Sequence, residues 1–152
     1  ADVVERWYDR TGTQPARGIV VGVGSGQGRG LADAAPAAAE NWAVETVEDA
    51  SNLTGLGITL SEYLTERFAT GAEGGPRLCF DSLTALLQYA DLKPAFRFCH
   101  TLTGRVASSG AVGHYHLDPR AHDEQTVATI TGLFDAVVEF GDDDGTWTVR
   151  TR

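Results

Sequence analysis

Leu78-Cys79-Phe80-Asp81-Ser82 is the stretch on which the fold turns. Three apolar residues give way at once to a carboxylate and a hydroxyl. So short an apolar run suits a buried strand. Asp81 or Ser82 can then cap a helix by accepting from its free N–H groups. The pattern supplies that helix: Leu83, Leu86, Leu87 and Ala90 fall on one face.

Downstream the alternation continues. Pro94 opens a second helix in its first turn, with Phe98, Cys99, Leu102 and Val106 as its apolar face, and Gly110 ends the connection. Ala111 to Leu117 reads as a strand and Asp118-Pro119 as its turn. Val127, Ile130 and Phe134 mark another helix. Asp135 to Phe140, the acidic turn Gly141 to Gly145, and Thr146 to Arg150 read as an antiparallel hairpin.

Upstream, Val3, Val4 and Trp7 share a helical face that Asp2 can cap and Gly12 can end. Arg17 to Val23 is a continuous apolar run, as in a strand covered on both faces. Gly24 to Glu40 reads as a long loop and Val44 to Val47 as a short strand. Leu53, Leu56, Leu60, Leu64 and Phe68 form a helical stripe, which Gly71 to Pro76 breaks. Strands alternating with helices imply an α/β fold with a mainly parallel sheet flanked by helices and a C-terminal antiparallel hairpin. The 152 residues fit one domain, so a single domain over 1–152 is expected.

Charge narrows the function. Twenty-one acidic residues face twelve basic ones, for a net charge of -9, and Lys93 is the only lysine. Such a surface suits molar salt, where carboxylates keep their water and their mutual repulsion is screened. A halophilic protein is expected. No Lys/Arg cluster stands ready to displace phosphate counterions, so nucleic acid is not an expected partner. No apolar run nears the roughly 20 residues of a membrane span. The charged stretch Ala1 to Arg10 does not resemble a secretory signal. A cytoplasmic chain is expected, with Cys79 and Cys99 as buried free thiols.

Two motifs invite chemistry. The glycines from Gly22 to Gly30 follow a strand, but no register gives the spacing of a dinucleotide fingerprint, and no Gly-Lys-Ser/Thr is present. A plain loop is expected there. His114, His116 and Asp118 form His-x-His-x-Asp, with His122 four residues later. Alternate strand residues share a face, so these side chains could converge on Zn²⁺, with Asp81 or Asp135 completing the shell. The order resembles the His-x-His-x-Asp-His signature of metallo-β-lactamase-like hydrolases, but Pro119 stands where the last His belongs, and no His or Cys follows His122. A strand carrying polar residues is the favoured reading, and a metal-dependent hydrolase the alternative.

A wider resemblance joins these pieces. Phe80-Asp81-Ser82-Leu83, then a helix, then Gly110 to His116, then Leu133 to Phe140 and a short last strand is similar to the C-terminal half of RecA/KaiC-like ATPases, most of all a RecA-like group of haloarchaea. The resemblance implies a RecA-like sheet with Leu78 to Ser82 as its Walker B strand. There Asp81 and Ser82 would meet a Mg²⁺-nucleotide, and His114 or His116 would lie at the γ-phosphate edge. The P-loop strand would lie upstream of Ala1 or be missing. Without its lysine the β- and γ-phosphates lose their main hold, and ATP hydrolysis is not implied. The expectation is therefore a degenerate, non-hydrolysing, regulatory domain. It would need no cofactor and act through a protein partner or a homo-oligomer.

Overall fold

The computed structural model describes residues 8–13, 15, 17–24, 41–67, 75–141 and 145–152. The chain divides into two compact units, Ala1–Pro76 and Arg77–Arg152.

In the first unit, residues 8–11 are helical. Gly12 closes them at φ +64°, and its N–H donates to the Tyr8 carbonyl at 2.9 Å. That is the glycine stop expected from the sequence. The rest of the expected helix, Val3, Val4 and Trp7 with the Asp2 cap, lies outside the described residues. Strand β1 (Gly18–Val23) runs parallel to β2 (Trp42–Val47), in register from Gly18 opposite Trp42 to Val23 opposite Val47. Strand β2 thus begins two residues before the expected Val44. Gly18 is required where it stands, because a Cβ there would run into the Trp42 ring. All but the first residue of the Gly24 to Glu40 loop is undescribed.

Helix α1 (Leu53–Glu62) is capped by Asn52, whose side chain accepts from the Gly55 N–H at 2.9 Å. It continues as a π-helical turn, Tyr63–Arg67. Leu56, Leu60, Tyr63 and Leu64 are buried. The Tyr63 hydroxyl donates to the Glu45 carboxylate, tying this turn to β2. Phe68, the last residue of the expected stripe, is not among the described residues.

In the second unit, β3 (Arg77–Phe80) runs parallel to β4 (Val112–Tyr115), with Cys79 opposite His114 and Phe80 opposite Tyr115. Between them lie α2 (Leu83–Tyr89) and α3 (Leu92–Ser108). Pro94 falls in the first turn of α3 as expected. Gly110 follows its end at φ +68°. Leu83, Leu86, Ala95, Phe98, Cys99, Leu102, Val106 and Ile130 are the buried residues among those described in this unit. Six of these eight belong to the apolar stripes expected of α2 and α3, whereas Leu87 and Ala90 of the expected α2 stripe are only half-buried.

A 3₁₀ turn (Pro119–Ala121) leads to α4 (Glu124–Thr131), which Asp123 caps by accepting from the Thr126 N–H at 2.7 Å. That bond holds the Asp123 carboxyl below the usual carboxylate range. Helix α4 stops short of the expected Phe134 because Gly132 ends it, and Phe134 lies in the turn beyond. Strands β5 (Ala136–Phe140) and β6 (Trp147–Thr151) form the expected antiparallel hairpin.

The fold class is α/β, and two of the three strand pairs are parallel. Among the described residues these pairs are three separate two-stranded sheets, not one continuous sheet. Alternating strands and helices dictate the direction of pairing but not which pair lies beside which. Among those residues no helix is long and apolar enough to cross a membrane.

Candidate functional site

Asp81, Ser82 and His116 follow directly on the C-terminal ends of β3 and β4, where parallel α/β sheets commonly place ligands, whereas Asp135 directly precedes β5. Two backbone bonds hold the loops together there. The His116 N–H donates to the Phe80 carbonyl at 3.1 Å, and the Leu83 N–H donates to the His116 carbonyl at 2.8 Å. His116 is thereby clamped beside the strand end that carries Asp81 and Ser82, whose shared peptide bond is cis.

Ser82 is the N-cap of α2: its hydroxyl accepts from the Ala85 N–H at 3.1 Å. Ser82→Ala is expected to cost about 1 kcal/mol and Ser82→Asn much less, since Asn also caps. Urea unfolding followed by circular dichroism measures both. Equal losses would assign the hydroxyl a role other than capping.

Asp81 is exposed, and its carboxylate lies 4.0 Å from His116 Nδ1. The other ring nitrogen of His116, Nε2, lies 4.0 Å from Cys79 Sγ. Cys79 is exposed, which corrects the expectation of two buried thiols; Cys99 alone is buried. The reason is strand alternation. Leu78 and Phe80 turn inward while Arg77 and Cys79 turn outward, so β3 is covered on one face only. Partial burial and the neighbouring Asp81 charge push the Cys79 thiol up. Burial alone pushes Cys99 up to about 11.

The His-x-His-x-Asp residues do not meet. His114 is exposed on β4 opposite Cys79, and His116 faces Cys79 and Asp81. Asp118 is turned to the 3₁₀ turn, where its carboxylate accepts from the Arg120 backbone N–H at 3.0 Å and from Arg120 Nε at 3.2 Å. Those bonds hold the Asp118 carboxyl low. His122 Nε2 meets the Thr84 hydroxyl at 3.3 Å, and the same hydroxyl accepts from the Asp118 N–H at 2.8 Å. Among the described residues no group of three His, Cys, Asp or Glu is placed to hold a metal ion.

What the site does assemble is a thiol, an imidazole and a carboxylate in that order. Sequence reading missed this set, and it missed Thr84 as the residue that organises the Asp118 and His122 segment. The signal for the first was available. Residues 77, 79 and 81 alternate onto one face of a strand, as do 114 and 116 on the next.

No curated protein and no solved structure matches the chain. One family model does, over residues 1–140, a span that includes β3, β4 and every residue of this site while leaving β6 outside it. The chain therefore belongs to DUF7504, a family of unknown function.

Proposed function

We propose that this chain is a degenerate RecA/KaiC-like α/β domain that acts through protein contacts in a regulatory role and does not hydrolyse nucleotide. The element order supports the RecA-like part of this reading. A short strand ending in Asp81-Ser82 leads through helices to a parallel partner strand, and a hairpin follows. The absence of Gly-Lys-Ser/Thr supports the non-hydrolysing part. A salt-rich cytoplasm is the compartment this reading assumes.

One observation carries the protein-contact reading. Val138 pairs with Val149 and Phe140 with Trp147 across the hairpin, so all four side chains share one face. All four are exposed, Phe140 at 78% and Trp147 at 63%. Aromatic side chains grouped on an exposed face mark an association surface. A second copy of this chain is the first partner to test.

Sedimentation velocity and titration calorimetry test the two halves separately. Wild type at micromolar concentration is expected to associate, and Trp147→Asp to sediment as a monomer. Mg²⁺-ATP is expected to give no heat of binding. Micromolar ATP affinity would overturn the non-nucleotide half. A wild type that stays monomeric would remove self-association. Near-stoichiometric zinc surviving dialysis, and lost in His116→Ala, would replace the whole reading with the metal-dependent hydrolase.

A further inference from the structure

We propose that Cys79, His116 and Asp81 form a nucleophilic thiol site at the strand ends of the C-terminal unit, built to exchange with small disulfides. The proposal stands apart from the protein-contact reading and survives its failure. Three observations carry it. Cys79 is exposed, whereas the other cysteine, Cys99, is completely buried. His116 Nε2 stands 4.0 Å from Cys79 Sγ, within reach of a thiol hydrogen bond. His116 Nδ1 stands 4.0 Å from the Asp81 carboxylate. Nucleophile, base and orienting group thus follow one another along a single imidazole, the arrangement that activates a thiol or hydroxyl by removing its proton as it attacks. Catalytic hydrogen bonds are often long before a substrate draws them in.

The backbone makes this placement reproducible. His116 is clamped through both its N–H and its carbonyl, to Phe80 and Leu83. Cys79 lies on the outer face of β3, and Asp81 follows directly on the end of that strand. Among the described residues, Arg77 lies on the same face of β3 and His114 lies opposite Cys79 in the ladder.

Disulfide exchange fits this site better than acyl transfer. Acyl transfer needs N–H donors aimed at a developing oxyanion. The backbone N–H groups of His116 and Leu83, which border the site, already serve carbonyls. Exchange needs only a thiolate, an exposed approach and a leaving thiol. The Cys79 proton passes to His116 Nε2 as Sγ attacks one sulfur of the disulfide. A new S–S bond forms, the old one breaks, and the released thiolate takes the proton from His116. Cys79 ends as a mixed disulfide, and no outside oxidant or reductant is consumed.

Asp81 gives the test its sharpest arm, because its two effects on the thiol have opposite signs. As a neighbouring negative charge it disfavours the Cys79 thiolate. As the orienting group it holds the imidazole in place. If it acted only as a charge, Asp81→Asn would speed the reaction; as the orienting group, its loss slows it.

The experiment follows release of the coloured thiolate from an aromatic disulfide by the folded 152-residue chain at neutral pH. One equivalent is expected from the native protein and two after denaturation, matching the two cysteines. His116→Ala is expected to slow the native reaction about tenfold, below the usual range for a general base because the thiol is intrinsically reactive. Added imidazole should restore much of that loss, which a purely structural role for His116 would not allow. Asp81→Asn is expected to slow it about threefold, a modest share of a general-base effect. An unchanged rate in His116→Ala, a faster one in Asp81→Asn, or release from Cys99 as quickly as from Cys79 would overturn the proposal.

Discussion

Phe98→Ala is expected to lower the stability of the C-terminal unit by about 3–5 kcal/mol, the usual result of removing a buried ring and leaving a cavity. Phe98 is buried on the inner face of α3 beside Ala95, Cys99, Leu102 and Val106. Its ring meets Phe80 at 5.9 Å, Phe80 stacks on Tyr115 at 6.0 Å, and Tyr115 meets Phe134 at 4.7 Å. This row of four rings runs from α3 through β3 and β4 to the turn after α4, so truncating its first member loosens contacts that join four segments. In a unit of this size each kcal/mol moves Tm by about 4–8 °C, so a fall of at least roughly 12 °C is expected. Tyr89→Ala is the control. Its side chain is exposed on α2, and its loss should stay within about 0.5 kcal/mol. Thermal unfolding followed by circular dichroism compares the two. A Phe98→Ala shift no larger than that of Tyr89→Ala would mean that this face of α3 is not the core.

That core was legible in the sequence for a simple reason. Seventeen residues in α3 give an apolar stripe enough turns to declare itself. The hairpin was legible because Gly141 and Gly145 bracket an acidic turn between two β-branched and aromatic runs. Strand burial was misread at β3, where Leu78, Cys79 and Phe80 look like a run covered on both faces. The flanking residues held the correction. Arg77 and Asp81 share the parity of Cys79, and a charged residue on each side of an apolar triplet marks its middle member as outward-facing. The π-helical turn after Glu62 leaves no comparable mark, because it changes which side chains are buried without changing their spacing in the chain.

The candidate site was half legible. Its residue types are all visible in the sequence, but which of them are neighbours in space is not. His114, His116 and Asp118 are adjacent in sequence, so they suggested one metal. Strand β4 instead ends at Tyr115, and the Asp118 carboxylate caps the 3₁₀ turn that follows. Thr84 could not have been found from the sequence. Its role depends on where the segment from 118 to 122 comes to rest against the first turn of α2, a contact across 34 residues. Grouping by parity within each strand, then across the parallel ladder, would have put Cys79 and Asp81 opposite the two histidines.

Stability is expected to fall when salt is withdrawn, by an amount approaching that of a core truncation. The cause is the net charge of -9. Two exposed carboxylates about 7 Å apart repel by about 0.6 kcal/mol in unscreened water. At about 1 M salt the Debye length is about 3 Å and nearly all of that is screened, while at about 0.1 M it is about 10 Å and roughly half returns. Each such pair therefore gains about 0.2 kcal/mol of repulsion on dilution. The folded chain holds its surplus charges closer together than the unfolded one, and each has more than one neighbour. The sum is about 2 kcal/mol, or a fall in Tm of roughly 4–8 °C for a chain of this whole length between molar and 0.1 M KCl. Lysine counter-charges could blunt this, but Lys93 is the only one, and arginines such as Arg120 and Arg150 are already engaged, with Asp118 and Glu139. Calorimetry across a KCl series reads the slope directly. A second series near pH 4.7, about the isoelectric point that the composition gives, should show most of that slope gone, because the carboxylates that repel at neutral pH are then largely balanced or protonated. A Tm that is flat or rises as salt is removed at neutral pH would contradict the salt-adapted reading. A slope that persists unchanged at pH 4.7 would show that salt acts on something other than carboxylate repulsion.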